Sequence, residues 1–141
     1  MKQESIAAMS VIMVEARRAN ESVRDVVYVA LAAAAKELGS VENLVTGRPG
    51  SWEADLIRNM AFAGERIIPS ARSENYVNKL APLLVAMGKE QADGGDILSQ
   101  AMGQAVNELG GLDHFLAGSW DELYWQLRGM ACQCSDYWDQ Y

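Results

Sequence analysis

Nucleophilic chemistry in this chain would have to pair a serine, Cys132 or Cys134 with His114, the only histidine. Such a nucleophile needs a base within hydrogen-bond reach, and a third group to orient that base. No Gly-x-Ser-x-Gly elbow occurs to hold a serine that way. Nothing in the spacing brings His114 to either cysteine. The same three residues are too few for a structural zinc site, which takes four ligands. On a helix, positions two apart point about 200° apart, so Cys132 and Cys134 cannot bond each other. Reduced thiols in the cytosol are the expectation. His114 is expected to face solvent or to close a turn. Paired acids stand at Glu53/Asp55 and Asp121/Glu122. Both pairs fall in first turns of expected helices, where the helix dipole explains them without acid–base work. No cofactor, no metal and no enzymatic activity are expected.

Anion binding has one candidate. Thr46-Gly47-Arg48-Pro49-Gly50-Ser51 precedes a helix start and carries an arginine. A helix N-terminus with an arginine can hold an anion. The run lacks the lysine and spacing of a P-loop. Its plainer reading is a Pro-Gly turn feeding an N-cap. A small anionic ligand would use Arg48, Ser51, Trp52 and Arg58.

These residues must be positioned by helices. No window alternates with period two and β-branched enrichment, so the chain reads as all-α. The expected helices cover about residues 3–18, 22–38, 74–90 and 96–109, with two more starting at Ser51 and Ser119. Short helical turns are expected near 41–45 and 112–117. The stripes are Ile6, Met9, Met13 and Ala16, then Val23, Val27, Ala30, Ala34 and Leu38. The helix over 74–90 turns Tyr76, Val77, Leu80, Leu84 and Met87 inward. Pro82 should kink it or start a new segment. The third helices carry Trp52, Leu56, Met60 and Ile67, and Trp120, Leu123, Leu127, Met130 or Ala131, Cys134 and Trp138. Ser22 with Asp25, and Ser119 with Glu122, match the capping-box pattern. Gly39 is placed for a left-handed cap. The alanine- and glycine-rich second helices are expected at the centre.

The two halves of the chain resemble each other. Glu37-Leu38-Gly39-Ser40-Val41-Glu42-Asn43-Leu44 matches Glu108-Leu109-Gly110-Gly111-Leu112-Asp113-His114-Phe115 at an offset of 71. Asp25, Ala30 and Ala34 match Asp96, Ala101 and Ala105 at the same offset. Gly50-Ser51-Trp52-Glu53 matches Gly118-Ser119-Trp120-Asp121 at an offset of 68. Helix periodicity alone aligns apolar positions, but not a helix end, a short segment and a helix start in one order. The reading is about six main helices as two tandem copies of a three-helix unit, residues 1–70 and 71–141. The copies would pack as one pseudo-twofold bundle.

Composition bounds the rest. The chain has 141 residues, 50% hydrophobic and 22% charged, with 12 Gly and 3 Pro. That is globular, and it excludes a collagen, a low-complexity chain and a disulfide scaffold. Twelve Lys+Arg against 19 Asp+Glu argue against direct nucleic-acid binding, since the average surface repels phosphate. No apolar run reaches the length a membrane-spanning helix needs. Ile6–Val14 is flanked by Glu4 and by Glu15-Ala16-Arg17-Arg18, which argues for a mature helix over a signal-peptide core.

Charge divides unevenly. Residues 1–70 hold 8 Lys+Arg and 9 Asp+Glu, while residues 71–141 hold 4 and 10. The acidic half also carries most of the aromatics. Aromatics with a polar handle, rimmed by acids, are the composition of an interface. The alternative is a last helix that packs across both copies and needs large side chains. Partner-binding candidates are Asp113, Trp120, Asp121, Glu122, Tyr124, Trp125, Tyr137 and Tyr141.

In general style, small, acidic, helical and free of motifs, the chain resembles accessory and anti-defence proteins of phages and plasmids. That resemblance implies a non-enzymatic protein–protein interaction protein of the cytoplasm. It would inhibit or regulate a macromolecular partner, such as a basic nucleic-acid-binding protein or complex. The chain itself would be a monomer or homodimer.

Overall fold

The computed structural model describes residues 2–45, 52–90, 94–117 and 122–137, with backbone alone at 2, 52, 53, 94, 95 and 122–124. Seven α-helices and no strand occur among the described residues. They are α1 Lys2–Arg18, α2 Val23–Leu38, α3 Trp52–Gly64, α4 Ala71–Lys89, α5 Gly94–Leu109, α6 Leu112–Leu116 and α7 Glu122–Gln133. A 3-10 turn, Val41–Leu44, joins α2 to the loop before α3.

Local chemistry sets these bounds. Ser22 Oγ accepts the Asp25 N–H at 3.2 Å and starts α2. Gly39 ends it at φ 94°, a left-handed conformation that costs other residues energy. Asn43 Nδ2 donates to the Leu38 carbonyl at 2.7 Å and satisfies another helix-end group. Ser70 Oγ accepts the Ser73 N–H at 3.0 Å, so α4 begins before residue 74, where periodicity alone placed it. No new segment starts at Pro82, and α4 runs as one helix from Ala71 to Lys89. Pro82 and Asn78 are both exposed, so water can serve the carbonyl that the proline leaves without a donor.

Burial follows the expected stripes in the first two helices. Ile6, Met9, Met13 and Ala16 of α1 are fully buried, as are Val27, Ala30 and Ala34 of α2. In α3 the stripe is different. Ala54, Ile57, Met60, Ala61 and Gly64 are buried, while Leu56 and Ile67 are only half-buried. Small residues decide this. A Cβ at Gly64 would run into the Tyr28 carbonyl, so only glycine lets α3 lie this close to α2. In α7 the buried residues are Leu127, Met130, Ala131 and Cys132. Cys134 lies beyond the helix end and is exposed, contrary to its place on the expected stripe.

The order helix, helix, short turn, helix occurs twice. The bounds of α5 lie 71 residues after those of α2, and α6 starts 71 residues after the 3-10 turn. Gly110 takes φ 91°, close to Gly39. In the third helices the buried triplets 57/60/61 and 127/130/131 are spaced 70 apart. The Gly-Ser-Trp runs aligned at 68 lie, apart from Trp52, outside the described residues, and so do the helix starts at Ser51 and Ser119. The packing is interlocked. Helix α1 lies chiefly on α5, and α2 chiefly on α4, with few contacts between α1 and α2. Helix α2 also holds α3, and α5 holds α7. Exchanging the four elements of one half for those of the other maps these main pairs onto each other. The second helices are each central to their own cluster, but they do not pack against one another as a main pair.

Candidate functional site

Helix α2 turns Tyr28 and Leu31 into the core. Its opposite face therefore carries Val29, Ala32, Ala33 and Lys36, spaced 3, 4 and 7 residues from the first. Helix α3 presents Arg58, Ala61, Phe62 and Glu65 at the same steps. Between these faces lies an open groove of about 630 Å³, closed at one end by Gly39, Ser40 and Val41. That volume is in the range of small-ligand and peptide clefts. Phe62 is 58% exposed, and the Arg66 guanidinium sits 4.5 Å from its ring centroid.

Arg58 is the one member of the expected ligand set whose side chain the structure describes. Its Nε and Nη2 each donate to a Glu42 carboxylate oxygen at 2.9 Å, and its Nη1 donates to Asp55 at 2.8 Å. This fork holds the Glu42 carboxyl below its ordinary range, and Glu42 in turn raises the guanidinium pKa. Arg58 thus fastens the 3-10 turn to α3, and two carboxylates already neutralise it. Arg48 and Ser51 lie outside the described residues, as does the Trp52 side chain. Lys36, at the same end of the groove, has no partner among the described residues. The groove was legible in part. Ala32, Ala33 and Phe62 fall off their helices' buried stripes, and apolar residues off the stripe mark a second apolar face.

The acidic half presents a second region. Asp113 is exposed on α6, and Trp125 is 50% exposed on α7. The Arg128 guanidinium lies 5.3 Å from the Trp125 ring centroid. Tyr137 is half-buried against the core and less exposed than Trp125. Glu122 and Tyr124 belong to α7, but their side chains lie outside the description, as do Trp120, Asp121 and Tyr141.

The groups that could do covalent chemistry are dispersed. His114 is exposed, and its carbonyl accepts from Arg17 Nε at 3.1 Å, tying α6 to α1. Cys132 is buried, and burial pushes its thiol pKa up, away from the thiolate a nucleophile needs. Neither cysteine forms a disulfide among the described residues. No three His, Cys, Asp or Glu side chains gather as metal ligands among the described residues. No described helix is long and apolar enough to cross a membrane. No protein-family model matches the chain, and no curated protein or solved structure matches it either.

Proposed function

We propose that this chain is a non-enzymatic, cytoplasmic protein–protein interaction protein that inhibits or regulates a basic macromolecular partner, in the manner of phage or plasmid accessory proteins. The observation that carries the reading is Trp125. A tryptophan half-exposed on a helix, in the half that holds 10 of the 19 acids, is the kind of anchor that dominates interface energies. Asp113 adds an exposed carboxylate on the neighbouring α6. A net negative charge in that half, 4 Lys+Arg against 10 Asp+Glu, would steer a basic partner and speed its encounter. The raised Cys132 pKa and the dispersed titratable groups fit a binding role better than covalent catalysis.

We also infer that residues 1–70 and 71–141 are tandem copies of one three-helix unit. Support comes from the repeated element order, the paired left-handed glycines 39 and 110, and packing pairs that exchange between the halves. A small anionic ligand at Arg48, Ser51, Trp52 and Arg58 draws less support, because Arg58 is already paired with Glu42 and Asp55.

The test is capture with the tagged chain from its native host's lysate at low and high salt. The expected result is a basic protein or nucleoprotein, held in stoichiometric amount and released as salt rises. Capture of nothing at low salt would count against the reading.

A further inference from the structure

We propose that the groove between α2 and α3 is a docking site for a short polypeptide segment that carries an aromatic side chain beside a carboxylate. The site uses residues other than Trp125 and Asp113 and goes beyond the acidic face.

Resting on the reading of the halves as tandem copies, we compare the groove with the corresponding face of the second half. Spacing from Gly39 and Gly110 places Ala32 against Gly103, and Lys36 against Asn107. In the second half the chain leaving α7 crosses that face at Gly103 and Asn107. The Cys134 backbone lies so close to Gly103 that a Cβ there could not fit. The Asp136 N–H donates to Asn107 Oδ1 at 2.8 Å. Ser135 is buried, and Tyr137 is half-buried. In the first half the chain leaving α3 goes elsewhere. Gly64 meets α2 one turn earlier, at Tyr28, and the chain continues into the Ser70 cap of α4. Exposure follows the difference in part. Gly103, Gly111 and Leu112 are buried and their counterparts Ala32, Ser40 and Val41 half-buried, while Gln104 and Asn107 stay exposed like Ala33 and Lys36.

The lining specifies the occupant. The segment that crosses the second half's face offers Asp136 N–H to an acceptor, Asn107. Lys36 stands at that position in the first half and can only donate. The occupant must therefore present an oxygen there, and a carboxylate suits a lysine with no partner among the described residues. The alanine floor and the exposed Phe62 ring accept a flat apolar side chain. Polarity along the groove sets direction. The Gly64–Tyr28 contact and the Arg58–Glu42 pair show that α3 runs antiparallel to α2. Glu65 thus lies at the end away from Lys36, and it repels an acid placed there.

A labelled synthetic peptide copying residues 135–141, Ser-Asp-Tyr-Trp-Asp-Gln-Tyr, serves as the probe against the full chain. Amide NMR should show shifts at Ala32, Ala33, Lys36, Ala61 and Phe62. Lys36→Glu should weaken binding at least about tenfold. Ala32→Trp, which fills the groove, should abolish it. Lys36 is exposed, so K36E keeps the test alive if A32W does not fold. Trp125→Ser should leave peptide binding unchanged, which separates this site from the acidic face. No groove shifts at roughly millimolar peptide would overturn the proposal. Equal binding of a peptide with both aspartates changed to asparagine would overturn it too. Self-association of the wild-type chain that K36E abolishes would instead give the groove to a second copy.

Discussion

Glu21 shows how much one side chain can connect. It sits at the corner between α1 and α2, and its carboxylate accepts from Ser70 Oγ and Ser73 Oγ at 2.8 Å each. Arg72 approaches it at 3.6 Å. The Ser70 hydroxyl, then that of Ser73, hold its pKa below the ordinary value, with Arg72 adding to them. A lowered carboxyl pKa gives stability that is present above the unfolded value, about 4.3, and is lost as pH falls through the folded one. Thermal melts between about pH 3 and 7 should therefore show wild type losing stability on acidification more steeply than Glu21→Gln. Parallel curves would show that the Glu21 carboxylate adds no pH-dependent stability. Legibility at this scale follows sequence distance. The Ser22 cap and the Gly39 turn were readable because both partners lie within a few residues. The Glu21 cluster spans about fifty positions, and no local pattern announces it.

Among the elements, α3 is where periodicity misled. Its large residues drew the expected stripe through Trp52, Leu56, Met60 and Ile67; Met60 is buried as expected, but the rest of the buried line runs through Ala54, Ile57, Ala61 and Gly64. Close helix approach buries small residues and leaves larger ones at the margin, and only the Tyr28 backbone reveals that approach. The same displacement leaves Phe62 outside and opens the groove. Ile57→Ala should cost about 2–5 kcal/mol in urea melts, whereas Leu56→Ala should cost less. The reverse order would restore the expected stripe and argue against the groove. Helix α4 tells the opposite story, since Pro82 looked disruptive from sequence. The helix continues through it, and Pro82 lies on the solvent side.

For the whole molecule, the interlocked packing carries the clearest consequence. Helix α1 finds its main partner in α5, and α2 in α4, so neither half holds a complete core. Fragments 1–70 and 71–141 should each be poorly helical as monomers, and mixing them should restore helicity and a single cooperative melt. Two fragments that melt cooperatively alone would contradict this packing. All-α class and the two short turns were legible from periodicity and the Glu-Leu-Gly helix ends. The exchange of partners between halves was not, because it depends on which helix meets which. Function was least legible, since Trp125 and Tyr137 look alike in sequence and differ only in how the core receives them. If α6 and α7 meet a basic partner, amide exchange in the captured complex will differ there from that of the free chain. Slowed exchange across residues 112–133 is the expected result. Exchange there that matches the free chain, with protection only elsewhere, would contradict it.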